Sequence, residues 1–223
     1  MSDKKITFVS YLPGCCGQFI GTICDKLLSP TSINSIVRIV QTGEVIKNNS
    51  HNSIKIMNRF HESYERKISC RVNLNKNQID VFDKFADDLV QMNTSDNLVV
   101  PLHLICIEQL EKKFPNSKKI LIVPQNESEM RLAHNLWVHK KRQDAQYHAY
   151  RDFPNIDRLN EYNSPNVLKL TLTDILNPNN VNNIIDSIIS HLEITDKNKE
   201  AVIKFYDTYL KKQDKSIIFD IPA

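Results

Sequence analysis

Three of the chain's four glycines, Gly14, Gly17 and Gly21, fall within eight residues of one another, and two cysteines, Cys15 and Cys16, separate the first pair. A sequence so sparing with glycine places it where the backbone must approach something closely or take a positive φ. The run Ile6-Thr7-Phe8-Val9-Ser10-Tyr11 reads as a buried strand, Leu12 to Gly17 as a turn, and the residues from Gln18 as a helix. A strand that feeds a glycine turn into a helix N-terminus aims several backbone N–H groups at one point. The helix dipole adds positive potential there. The chemistry this predicts is the holding of an anion, typically a phosphate group, by Gly14, Cys15, Cys16, Gly17, Gln18 and Phe19. The thiols admit a second chemistry, because a helix N-terminus also stabilises a thiolate. The plainer reading is that Cys15 and Cys16 are small enough to let the loop fold tightly.

What the loop lacks narrows the options. A Walker A loop needs a lysine directly after its second glycine to reach the terminal phosphates. Gln18 follows Gly17, which argues against ATP hydrolysis. The Gly-x-Gly-x-x-Gly spacing of dinucleotide folds is missing, and no arginine follows Cys15 or Cys16 as far as Thr22, as a cysteine phosphatase would require. His51, His61, His148 and His191 have no ligand spacing with acids or cysteines, so no metal site is expected. A phosphate cradle without a hydrolytic lysine remains.

The elements that must position this loop follow from hydrophobic periodicity. The first strand is predicted over Lys5–Tyr11 and the first helix over Gln18–Leu28, with Ser29-Pro30 ending it. A short strand is expected at Ile36–Val40 and helices at Asn52–Lys67 and Ile79–Val90. Further on, Leu98–Leu102 suits a short strand and Leu104–Phe114 a helix broken by Pro115. The continuous apolar run Lys119–Val123 is typical of a central parallel strand covered on both faces. Asn126 with Glu129 three residues later fits a capping box, which predicts a helix over Glu127–Arg142. A last strand at Val167–Leu172 precedes amphipathic helices at Val181–Leu192 and Lys199–Leu210. The apolar tail Ile217–Ile221 is suited to docking. Strands alternating with helices predict an α/β fold, a three-layer sandwich around a mainly parallel sheet. One domain over residues 1–223 is the simplest account, with less regular stretches near 40–97 and 143–166.

Composition bounds the function. A net charge of +3 from 29 basic and 26 acidic residues is too small to argue for non-specific nucleic-acid binding. No apolar run approaches a membrane span, and Met1 to Lys5 leads into a strand rather than a signal segment. Five cysteines without zinc-finger spacing read as free thiols in a reducing cytoplasm.

Three segments, in order along the chain, carry a family resemblance. Ser10-Tyr11-Leu12-Pro13-Gly14-Cys15-Cys16-Gly17-Gln18-Phe19-Ile20 resembles the first nucleotide-binding loop of sulfotransferases, which use 3′-phosphoadenosine 5′-phosphosulfate (PAPS). Leu102-His103-Leu104, followed by Phe114-Pro115-Asn116-Ser117-Lys118-Lys119-Ile120-Leu121-Ile122, resembles that family's Thr-His-Leu and Phe-Pro-x-Ala-Lys segments. Leu168–Leu176 and the helix ending Leu192-Glu193-Ile194 are similar to its late strand and following helix. The resemblance implies a P-loop-type nucleotide-binding fold and PAPS as co-substrate, with no metal. It also implies a small-molecule or glycan acceptor and sulfuryl transfer to a hydroxyl or amine, with His103 as general base. The plainer role for His103 is capping the helix that starts at Leu104.

The sequence departs from the family at two charged positions. Cys15 and Cys16 stand where cytosolic members carry a loop lysine. Pro124 or Gln125 stands where an arginine would clamp the 3′-phosphate, with Ala133 near the place of its partner serine. Arg131, which shares a helix face with Asn135, His139 and Arg142, is the candidate substitute; the alternative is an ordinary solvated face. The departures also keep open a non-catalytic nucleotide- or anion-binding module of the same fold. A phosphoryl-transfer enzyme is weakened by the absent Walker lysine.

Overall fold

The computed structural model describes residues 5–12, 14–28, 37–39, 45–47, 97–102, 107–138, 156–195 and 198–212. The helices expected over 52–67 and 79–90, His103, and the tail 217–221 lie outside the described residues. Strand β1 (Lys5–Tyr11) is followed by helix α1 (Gly17–Leu28). A small antiparallel pair, β2 (Val37–Ile39) and β3 (Val45–Lys47), precedes β4 (Asn97–Leu102) and α2 (Ile107–Lys113). Next come β5 (Lys118–Ile122), α3 (Glu127–Val138), α4 (Ile156–Glu161) and β6 (Val167–Leu170). The chain continues through α5 (Leu172–Leu176) and a 3-10 turn (Pro178–Asn180) to α6 (Val181–Leu192) and α7 (Lys199–Lys212).

Four of these strands form one sheet in the order β4-β1-β5-β6, every pair parallel. Ser10 pairs with Leu102, Tyr11 with Ile122, and Ile122 with Leu170, so the carboxyl ends of all four strands form one edge. From β1 the chain crosses to β4 on one side, then returns past β1 to β5 on the other. The two crossovers run in opposite directions, and right-handed connections therefore put α1 and α2 on opposite faces. The fold is the expected three-layer α/β arrangement, P-loop-like in having its first strand central and its glycine turn at that strand's end. Phe8, Val9, Ile120, Leu121 and Ile122 are fully or almost fully buried in the middle layer. Helix α1 packs on β1 and β4, α6 packs on β6, and α7 touches both α1 and α6.

One predicted boundary shifts for a local reason. The last strand ends at Leu170 rather than Leu172, because Thr171 starts a helix. Its side-chain oxygen accepts the Asp174 N–H at 3.0 Å, and its hydroxyl donates to Asp174 Oδ2 at 2.7 Å. Thr171-Leu172-Thr173-Asp174 is itself a capping-box pattern, with Asp in place of the usual Glu. The stretch 143–166, expected to be irregular, contains α4.

At the opposite, amino edge of the sheet, fully buried Lys119 donates to the carbonyls of Phe114 at 2.6 Å and Ser117 at 2.9 Å. Burial lowers its pKa, opposed by the nearby Glu111 carboxylate. Glu111 itself accepts from Tyr162 and Ser164. The lysine thus adds a donor to two carbonyls in the turn between α2 and β5, of which Phe114 also accepts the Ser117 N–H at 3.2 Å and hydroxyl at 2.8 Å.

A pH dependence is built into α1. Asp25 is largely buried, and its Oδ1 has no hydrogen-bond partner among the described residues. Burial pushes its pKa up to about 7, against the opposing pull of Lys26. The folded state therefore holds this proton more tightly than the unfolded chain does, so stability falls as pH rises from about 4 to about 7. Asp25→Asn should match the wild type near pH 4 and exceed it by about 2 kcal/mol at pH 8, roughly half the fully buried value for such a shift. Urea unfolding of both proteins at the two pH values checks the sign. A variant no more stable at pH 8 than at pH 4, relative to wild type, refutes the assignment.

Candidate functional site

The turn after β1 is built by two residues with positive φ. The Cys15 N–H donates to the Leu12 carbonyl at 3.0 Å, and Gly14, third of these four residues, has φ 81°. Glycine takes such a φ without the steric cost that a side chain brings. Cys16 follows at φ 57°, a left-handed conformation that costs a non-glycine residue about 1 kcal/mol. The Ile20 N–H donates to the Cys16 carbonyl at 3.0 Å, so Cys16 is the N-cap of α1. The N–H groups of Gly17, Gln18 and Phe19 precede this first intrahelical bond and have no acceptor within the helix.

Both loop glycines are also required by their neighbours. A Cβ on Gly14 would overlap the backbone carbonyl of Ala133 in α3, and one on Gly17 would overlap the ring of Tyr11. The turn is therefore wedged between α3 and the end of β1. It lies at the carboxyl edge between β1 and β5, where the strand order reverses. In open α/β sheets that reversal is where ligands bind.

The helices that follow β1, β5 and β6 at this edge, α1, α3 and α5, treat their N-termini differently. In α3, the Glu129 N–H donates to Asn126 Oδ1 at 3.0 Å, forming half of the expected capping box. The buried Glu129 carboxylate reaches back to the Gln125 N–H with one oxygen and across to the Thr173 N–H of α5 with the other, each at 2.8 Å. Helix α5 carries its own Asp174 as well. Helix α1 has no acidic residue in its first turn. Two helix starts are thus neutralised from within, and the glycine turn's helix is not.

The remaining candidate residues occupy unequal positions. Cys15 is fully buried, and half-buried Cys16 accepts a hydrogen bond on Sγ from the Tyr209 hydroxyl at 3.4 Å. Burial pushes the Cys16 thiol up to about 11, with the Tyr209 bond opposing. Cys16 is therefore a thiol at neutral pH, which removes the thiolate chemistry open to it from sequence. Phe19 is buried under α7, stacked on Tyr209 with ring centroids 3.7 Å apart and edge-on to Tyr206 at 4.7 Å. Arg131 is exposed, and its guanidinium donates to Glu127 Oε1 at 2.8 Å, one turn back on the same helix. Ala133 is two positions further on, about 200° around a helix, so the face that meets the loop is the one opposite Arg131. The structure does not bring Arg131 to the turn. His103 lies outside the described residues.

A closed chain of contacts surrounds the loop. Gly14 abuts Ala133 of α3; Glu129 of α3 binds Thr173 of α5; Ile175 of α5 accepts from Tyr206 of α7 at 2.8 Å; Tyr209 of α7 binds Cys16. Sequence reasoning missed Thr173, Tyr206 and Tyr209 as loop supports. The buried stripe of α7 was legible, but not the partner on which it packs.

Among the described residues, no three His, Cys, Asp or Glu side chains group as a metal site would, and no helix is long and apolar enough to cross a membrane. No family model matches the sequence, and no curated protein matches it. Among solved structures, a gluconokinase from Sinorhizobium meliloti 1021 aligns at a TM-score of 0.45 with 9% identity, covering 95% of this chain and 99% of that one. A likeness of that degree bears on neither substrate nor reaction. The P-loop-like description rests on the strand order and the turn.

Proposed function

We propose that this chain binds the phosphate-bearing part of a nucleotide or a related anion at residues 14–19. One observation carries the reading: the glycine turn sits at the reversal of strand order and opens into α1, whose first turn carries no carboxylate, while the first turns of α3 and α5 do. Gly17, Gln18 and Phe19 would offer their N–H groups to the anion, and the helix dipole would add to the attraction.

The loop's resemblance to sulfotransferases makes PAPS the leading ligand and sulfuryl transfer the leading reaction. In that reaction the bond from sulfur to the 5′-phosphate oxygen breaks as an acceptor oxygen or nitrogen bonds to sulfur. The acceptor proton passes to His103, and the loop amides stabilise the charge left on the phosphate. The competing reading is binding without transfer. It draws on the missing loop lysine and on the pairing of Arg131 with Glu127.

A thermal-shift comparison of PAPS, its desulfated product, ATP and sulfate separates these. Stabilisation by the two 3′-phosphorylated nucleotides above the others supports the PAPS reading. Stabilisation by ATP or sulfate alone keeps the anion cradle and ends that assignment. No stabilisation by any of the four ends both. Conversion of PAPS in the presence of an acceptor, lost in His103→Ala with nucleotide binding retained, distinguishes transfer from binding. Gln18→Glu should separate stability from binding. A carboxylate at the second helical position interacts favourably with the dipole by about 0.5 kcal/mol, while repelling an anion from the same amides. The variant should melt slightly higher than wild type and lose its ligand shift.

A further inference from the structure

The glycine turn is held from outside its own segment. Cys16 is the residue that turns the chain into α1, and it does so in a left-handed conformation disfavoured for its type. Within the turn, the contact to its side chain is a long one, from Sγ to the Gly14 carbonyl at 4.0 Å. A closer contact comes from 193 residues away, where the Tyr209 hydroxyl reaches Sγ at 3.4 Å. The Tyr209 ring is fixed in turn, lying parallel to Phe19 with an interplanar angle of 9°. Helix α7 is anchored independently at Tyr206, fully buried, edge-on to Phe19 and donating to the Ile175 carbonyl. Lys26 lies over the Phe205 ring at 4.8 Å, a further contact between α1 and α7.

We propose that Tyr209 is a positioning residue for the anion site, its hydroxyl holding Cys16 left-handed so that the first amides of α1 point at one spot. The inference rests on the binding function proposed above. The hydroxyl and the ring divide the work. The ring supplies packing against Phe19, which contributes to stability. The hydroxyl contributes one bond to a thiol, a weak acceptor, so its loss should hardly alter global stability. Its effect falls on the geometry of the amides, to which anion affinity is sensitive.

Tyr209→Phe keeps the stack and removes the bond; Tyr209→Ala removes both. The probes are 3′-phosphoadenosine 5′-phosphate and inorganic sulfate, titrated by calorimetry, together with amide hydrogen exchange on the unliganded proteins. Tyr209→Phe should melt within about a degree of wild type yet bind the probe that wild type binds five- to tenfold more weakly. Exchange at residues 15–19 should quicken while α6 is unchanged. Tyr209→Ala should lower both melting temperature and affinity. Wild-type affinity in Tyr209→Phe, or unchanged exchange at 15–19, overturns the positioning role. If wild type binds neither probe, the functional reading fails on its own, and the exchange comparison still decides whether Tyr209 orders the turn.

Discussion

Gly14→Ala should destabilise the protein by about 4 kcal/mol or more, a large share of the stability of an ordinary domain. Two costs add at this position. Holding alanine at φ 81° costs about 1–2 kcal/mol. The new methyl would also overlap the Ala133 carbonyl, a backbone group that no side-chain rotation can move aside. Relief requires α3 to shift, and α3 is tied to α5 through Glu129. The second cost is the larger, at roughly 3 kcal/mol by comparison with overpacked cores. Gly14→Asn tells the two apart, because asparagine tolerates the left-handed region better but meets the same carbonyl. Denaturant unfolding should find both variants similarly destabilised. A much milder Asn variant would show that backbone conformation, rather than contact with α3, makes glycine necessary.

Glu129→Ala ranks next, at about 4 kcal/mol. The carboxylate accepts two backbone N–H bonds at 2.8 Å, and hydrogen bonds to a charged group are worth about 1.5–3 kcal/mol each. Removing it strands the N–H groups of Gln125 and Thr173 and leaves a void at a buried position. Glu129→Gln should cost less, about 2 kcal/mol, since the amide keeps one acceptor but turns its NH2 toward the other N–H donor. The order wild type, Gln, Ala in unfolding free energy is the expected result. Equal loss in Gln and Ala would mean that both bonds depend on the charge. No loss in either would remove Glu129 as the tie between α3 and α5.

Glu129 also shows where sequence reading stops. Its pairing with Asn126 was legible because a capping box spans four residues and needs no other part of the chain. Its second bond, to Thr173, joins positions 44 residues apart and has no local signature. The same contrast holds for Arg131. Spacing put it on a polar face, but helix periodicity could not say which face would meet the loop. The meeting of Ala133 with Gly14 decided that, and it turned Arg131 away. Thr171–Asp174 is a different case: the capping pattern was present, and the apolar run before it drew the strand two residues too far.

By itself the sequence determined the strand, the glycine turn and the helix that follows, because proline and glycine in a turn, capping pairs and apolar periodicity act over a few residues. It also determined what the loop lacks, a Walker lysine and a phosphatase arginine. Only the tertiary structure decided that the turn lies where the strand order reverses. It alone decided that Gly14 must lack a side chain because α3 is there, and that Cys16 is held by Tyr209 from the far end of the chain. That the Glu129 carboxylate serves the starts of both α3 and α5 was settled there too. That depends on where buried carboxylates end up, and a carboxylate goes to whichever stranded N–H groups the packing of distant elements brings within reach.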